Sequence, residues 1–268
     1  MNLQIDKVIS YKDEPLKSFR RKIQKNNYDL IIDLHKNFRS IYLTLFSGMK
    51  VLRYKKDNLK KFLLVKFKIN LFDDVIPVYK KYILALKEYL EETDYRFLPT
   101  ELDFNRKRIV KDDYVVIAPS SKHFAKTFPK ERFAELIKRI KNHKVVLVGE
   151  RVKKDMKVCS YLSKVSGNVI NHCGKMNYEA LANILYNSEF VICNDSGILH
   201  FAEALRKKVL AIFGCTVKEF GFYPQLEGSR VLEVKGLKCR PCSHIGKDKC
   251  PKKHFKCMEE ISVDGFLR

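Results

Sequence analysis

The sequence predicts an α/β protein built on parallel sheet. Three observations carry that prediction. Short runs rich in β-branched residues alternate with amphipathic stretches of helical length. Three of those runs stop at Pro119, Gly149 and Gly214. Polar residues gather just after the stops rather than inside the runs. Alternating strands and helices form right-handed βαβ units, and such sheets take ligands beyond the carboxyl ends of their strands. The charged stretch Arg106–Asp113 has no apolar period and reads as a linker, giving an N-terminal domain over 1–105 and a second over 106–268.

In the first half, Tyr28–Leu34 reads as a buried strand, Phe38–Phe46 as a helix stopped by Gly48, and Val78–Leu90 as a longer helix. The second half is more regular. Tyr114–Ala118 is a strand. A helix opens at Pro129, where the missing N–H costs little, and runs to Ile140. Lys144–Val148 is a strand and Lys153–Val165 a helix. Val169–Ile170 is a short strand, Tyr178–Tyr186 a helix, Phe190–Cys193 a strand, Ile198–Leu205 a helix and Val209–Phe213 a strand. No repeat of fixed period and no low-complexity tract interrupts the pattern.

Composition narrows the function classes. Of 268 residues 46% are hydrophobic, enough for a real core. No run of about 18 apolar residues is present to span a membrane, and Met1–Asp6 lacks signal character, so the expected compartment is the cytoplasm. The net charge is +22, from 53 Lys+Arg against 31 Asp+Glu. Such a field favours phosphorylated substrates, anionic lipid or nucleic acid, although a lysine-rich surface is the plainer reading. Of eight cysteines, Cys159, Cys173, Cys193 and Cys215 sit in apolar segments and read as core thiols.

The sharpest segment is Asn194-Asp195-Ser196-Gly197-Ile198-Leu199-His200, which follows a strand and opens a helix. Asp195 and Ser196 stand where an N-cap belongs. Gly197 lets a ligand approach the backbone, and the first-turn N–H groups offer an anion site that His200 can also face. An ordinary cap with a half-buried histidine is the competing reading. A second cluster follows Pro119: Ser120, Ser121, Lys122, His123 and Lys126. Two hydroxyls and a lysine suit a diphosphate, against a merely solvated loop. Gly174-Lys175-Met176 is weaker; Met176 can pack on a purine or simply join the core.

Together these segments resemble glycosyltransferase family 9, the lipopolysaccharide heptosyltransferases. The resemblance rests on Asp195-Ser196-Gly197-x-x-His200, Ala202-x-Ala204 and Phe213-Gly214-x-Thr216. It is joined by Lys126-Thr127-Phe128-Pro129-x-Glu131-x-Phe133, Gly174-Lys175-Met176, Asp33-Leu34-His35-x-Asn37-x-Arg39-Ser40 and Tyr223-Pro224. It implies a GT-B-like fold, two Rossmann-like parallel-sheet domains, and transfer of heptose or a related sugar from an ADP-sugar. The acceptor it implies is a lipopolysaccharide-core or similar, lipid-linked glycan. Carried over by motif, Ser120, Ser121 and Lys126 hold the diphosphate, Asp195 contacts the sugar, Ser196, Gly197 and His200 bind phosphate, and Met176 lies at adenine. A ribose-binding carboxylate after Gly149 is Glu150 or Asp155, with Lys153 and Lys154 at the expected spot.

The leaving diphosphate needs stabilised negative charge, which a helix N-terminus, two hydroxyls and a lysine supply without a metal, so no cofactor is required. The family's base is an Asp in a Gly-Asp loop that would precede Asn2–Ile9. No residue here matches it, so the N-terminal domain is expected to be truncated; Asp33 and His35 read as loop structure. At the other end, Met258–Arg268 begins a helix. Cys239, Cys242, Cys250 and Cys257 are a candidate tetrahedral zinc set, or a reduced loop. The basic charge fits peripheral contact with an anionic inner membrane. The alternatives are a non-catalytic nucleotide-sugar-binding remnant and a zinc-containing nucleic-acid-binding protein; no basic aromatic stripe supports the last, and nucleic acid is not an expected partner.

Overall fold

The computed structural model describes residues 5–11, 14–26, 28–88 and 104–266. By its contacts the chain forms two compact units. The smaller lies within 5–58 and 76–88; the larger takes Leu59–Val75 and 104–266. The division therefore does not follow one boundary at 105/106, because Leu59–Val75 groups with the later residues.

In the smaller unit α1 (Leu16–Lys25) precedes β1 (Leu30–Asp33), α2 (Phe38–Thr44) and β2 (Lys50–Arg53), and β1 and β2 pair in parallel. Asn37 caps α2 through a reciprocal box with Ser40. Residues 5–10 form no strand. The chain then enters α3 (Asn58–Phe67) and returns through α4 (Val78–Leu84), shorter than the helix expected to Leu90, whose last residues lie outside the described ones.

The larger unit continues with β3 (Tyr114–Ala118), α5 (Lys130–Arg139), β4 (Lys144–Leu147), α6 (Lys153–Leu162) and β5 (Val169–Asn171). It then runs through α7 (Tyr178–Tyr186), β6 (Val191–Asn194), α8 (Gly197–Ala204), β7 (Val209–Ile212) and β8 (Arg230–Leu232). These six strands form one parallel sheet in the order β5-β4-β3-β6-β7-β8. Successive strand residues point to opposite faces, and both faces are covered. Val115 and Ile117 pack with Phe133, Leu136 and Ile137 of α5. Tyr114, Val116 and Ala118 pack with Leu185 of α7 and Leu199 and Ala202 of α8. The chain leaves β3 in one direction and returns to β6 on its other side, so their carboxyl ends flank a topological switch point.

The C-terminal segment joins this core. The short helix α9 (Lys256–Glu259) is followed by a 3-10 turn over Val263–Phe266, not by one longer helix. Cys257, Met258, Ile261 and Val263 are buried on the α5 face. Arg132 Nη2 donates to the Ile261 carbonyl at 2.8 Å.

Candidate functional site

The polar groups singled out from the sequence lie at the carboxyl ends of the larger unit's strands. β3 ends at Ala118, and the chain passes through Pro119, Ser120 and Ser121 to a 3-10 turn, Phe124–Lys126. β6 ends at Asn194, with Asp195 and Ser196 leading into α8. Asn194, fully buried, fastens the two together. Its Oδ1 accepts from the Phe128 N–H at 2.9 Å, and its Nδ2 donates to the Pro119 carbonyl at 3.0 Å.

This fastening sets Lys126 against Asp195. Their ion pair is 2.7 Å long, with side-chain exposures of only 12% and 6%. The same carboxylate oxygen accepts from Thr216 Oγ1 at 2.7 Å. A carboxylate this buried is tolerable only because it is paired and hydrogen-bonded. An ammonium has three donors, so Lys126 can serve a second acceptor while it holds Asp195.

Around this pair stand two unsatisfied hydroxyls. Ser120 Oγ and Ser196 Oγ are buried atoms without a hydrogen-bond partner. Ser196 occupies the N-cap of α8, yet its side chain makes no capping bond. A buried hydroxyl left this way costs free energy unless something else meets it. Gly197 opens the helix, and a Cβ built there would meet nothing within 4 Å, so the first turn is approachable. The helix's N-terminal N–H groups and dipole favour an anion there. Ser121 is buried and its carbonyl accepts from Lys154 Nζ at 2.8 Å. The His200 side chain keeps exposed surface yet is hemmed in by protein; that burial lowers its pKa, with Asp195 pulling the other way and Lys126 adding to the fall.

Met176 is not part of this cluster. It follows β5, two strands from β3, and packs half-buried on the core. Asp155 Oδ2 accepts from the Glu150 N–H at 3.1 Å, so Asp155 caps its own loop while Glu150 stays exposed. Asp33, in the smaller unit, is bound as loop structure. It accepts from the backbone N–H of His35 and Lys36 at 3.0 and 2.7 Å, from Ser40 Oγ at 3.0 Å and from Arg53 Nε at 3.3 Å. Burial opposes its charge, but these donors outweigh it and the pKa falls.

Three residues without an assigned role in the sequence reading make polar contacts that brace this unit. Thr216 stood in the run after β7; its hydroxyl reaches Asp195. Arg240 donates to the Thr216 carbonyl at 2.7 Å and pairs with Glu233 at 2.7 Å, fixing the backbone that carries Thr216. Glu203 of α8 accepts from the Gln225 and Leu226 N–H groups at 2.6 and 2.7 Å. A buried Glu on an otherwise apolar helix face was the available signal for Glu203.

The cysteine-rich loop lies over the Lys126 turn, where the Ala125 N–H donates to the Lys247 carbonyl at 2.9 Å. Its thiols do not assemble as a metal set. Among the described residues no group of three or more His, Cys, Asp or Glu side chains stands ready to hold a metal ion. Cys257 is buried in the core, while Cys239 and Cys250 stay half-exposed. Cys242 turns to Cys215. A hydrogen bond from the Cys215 thiol lowers the Cys242 pKa to about 6, helped by Lys247 and Lys68 against burial. The zinc considered as a candidate at Cys239, Cys242, Cys250 and Cys257 thus gains no support.

A sequence profile of glycosyltransferase family 9 (heptosyltransferase) matches residues 16–253, most of the chain. The chain belongs to glycosyltransferase family 9. Lipooligosaccharide heptosyltransferase 2 of Campylobacter jejuni is 25% identical over 191 residues, covering 69% of this chain and 58% of that protein. This family 9 chain therefore spans less than two thirds of that relative's length. Among solved structures, a family 9 glycosyltransferase from Veillonella parvula superposes with a TM-score of 0.69 at 20% identity, over 94% of this chain and 75% of that one. The E. coli heptosyltransferase WaaC, solved with ADP, gives 0.64 at 15% identity, over 94% and 75%. These likenesses establish the family's GT-B-like α/β fold.

Proposed function

We propose that this family 9 chain is a glycosyltransferase whose larger unit binds an ADP-sugar, ADP-heptose or a close relative. It transfers the sugar to a lipopolysaccharide-core or similar glycan on the cytoplasmic side of an anionic membrane. One observation carries the reading: the buried Lys126–Asp195–Thr216 set stands at the foot of α8, beside two buried hydroxyls that the protein itself leaves unsatisfied.

In this reading the diphosphate lies against the N-terminus of α8. Ser120, Ser121 and Lys126 hold it from the β3 side, and Ser196, Gly197 and His200 from the β6 side. As the anomeric bond breaks, negative charge builds on the diphosphate, and fixed donors aimed at that charge lower the barrier. Asp195, held by Lys126 and Thr216, is oriented toward the sugar. Met176 and Glu150 stand on the β4–β5 side, toward adenine and ribose respectively. Such donors act without a metal cofactor. Deprotonating the acceptor hydroxyl takes a general base, and Asp33, saturated with donors and with a lowered pKa, is unsuited to that work.

The test is calorimetric binding of ADP and ADP-heptose to the chain and to Lys126→Ala, with transfer assayed on Asp195→Ala. The expected result is binding by the chain, at least about tenfold weaker without Lys126, as loss of a charge-assisted bond implies, and no transfer without Asp195. Absence of binding to either ligand, or full transfer by Asp195→Ala, would overturn the assignment.

A further inference from the structure

Away from the donor site, exposed apolar side chains of the larger unit concentrate on α3 and the segment after it. Leu59 is 70% exposed, Phe62 55%, Phe67 57%, Ile69 49% and Leu71 45%. Leu59, Phe62 and Lys66 recur at helical spacing and share one face, while Leu64 turns inward and is buried. The rings of Phe62 and Phe67 meet edge to face at 6.0 Å. Lysines are threaded through this strip at positions 60, 61, 66 and 68.

Beside the strip runs an open groove of about 750 Å³ between α3 and the cysteine-rich loop. Val65, Leu237 and Pro251 give it apolar walls; Lys66, Lys68, Lys247 and Lys252 are among the cations that line it, and among the described residues no carboxylate does. Lys68 is held in place by donating to the Cys239 carbonyl at 3.2 Å.

We propose that this face docks the chain on an anionic bilayer, the apolar strip entering the interfacial layer and the groove lysines meeting lipid phosphates. The proposal locates the membrane contact assumed above and rests on that reading. A soluble anion would satisfy the groove and leave five large apolar side chains in water. A bilayer answers both at once, because an interfacial helix wants an apolar face flanked by lysines and a negatively charged surface beneath them. The net charge of +22 adds long-range attraction of the same sign.

The experiment is flotation of the full chain with vesicles of phosphatidylcholine alone or mixed with phosphatidylglycerol. Two paired variants of exposed residues are compared, Phe62→Ser with Phe67→Ser, and Lys66→Glu with Lys252→Glu. A control, Lys141→Glu with Lys157→Glu, removes the same net charge elsewhere. Thermal melts monitored by circular dichroism verify folding. The expected result is binding to the mixed vesicles only, weakened about tenfold or more by each test pair and much less by the control. Equal weakening by control and lysine pair, or binding indifferent to the phenylalanine pair, would overturn the docking face while leaving peripheral contact intact. Failure of the unaltered chain to bind mixed vesicles would overturn both. ADP binding, read in parallel, is expected to be unchanged throughout.

Discussion

Asp195 shows how much of the site a linear reading can reach. Its place before Ser196 and Gly197 marked it, and Lys126 was marked by the run Lys126-Thr127-Phe128-Pro129. That the two share an ion pair was not legible, because their contact depends on Asn194 gripping Pro119 and Phe128 across the sheet. Thr216 and Arg240 stayed without roles for the same reason: their partners lie 21 and 24 residues away. Replacing Lys126 by Ala leaves a buried carboxylate with only Thr216, so alongside its effect on nucleotide it is expected to cost about 3 kcal/mol of stability, measurable by urea unfolding. Gly197→Ala separates ligand from fold. The site has open space for a methyl group, and alanine suits a helix. Stability should hold within about 0.5 kcal/mol, while ADP binding weakens as the methyl intrudes on the phosphate. Equal losses in both would show that Gly197 serves the fold alone.

At the scale of elements, the strands of the larger unit were readable because both faces are buried and the runs are richly apolar. β8 was not: it is three residues long and lies at the sheet edge, with Arg230 exposed. α1 was passed over although Leu16, Phe19 and Ile23 recur at helical spacing, whereas in α3 apolar residues and lysines are mixed around the helix and leave no clear stripe. Tyr114 illustrates a bond between elements that composition does not foretell. It begins β3, is fully buried, and donates its hydroxyl to the Ile184 carbonyl on α7 at 2.9 Å. Tyr114→Phe should cost about 1 kcal/mol. Burial, against a weaker pull from Arg108, raises its pKa from 10.0 to about 12. The folded state therefore keeps a proton that the unfolded chain gives up. Its contribution is whole below pH 10 and is lost as pH rises through about 12, a difference of roughly 2–3 kcal/mol. Unfolding curves of the chain and Tyr114→Phe across that range should draw together and then cross as pH rises, the tyrosine chain ending the less stable; parallel curves would place the alkaline transition elsewhere.

Across the whole molecule, the last described segment closes one face of the larger sheet. Cys257, Met258, Ile261 and Val263 are all buried on the α5 side, and the Met258 methyl lies 2.5 Å from where a Cβ on Gly214 would stand. A chain ending after His254 should expose Phe133 and Ile137, bind a hydrophobic dye and lose its cooperative melt; a sharp melt in that chain would show the segment to be ornamental. Asn194 has a consequence of another kind. Its partners at Phe128 and Pro119 lie 66 and 75 residues earlier in the chain. During synthesis at about 5–20 residues per second, the turn bearing Lys126 leaves the ribosome several seconds before the asparagine that anchors it. For that interval the nascent lysine has no carboxylate to hold, and the lip of the proposed nucleotide site is assembled only when β6 slides in beside β3.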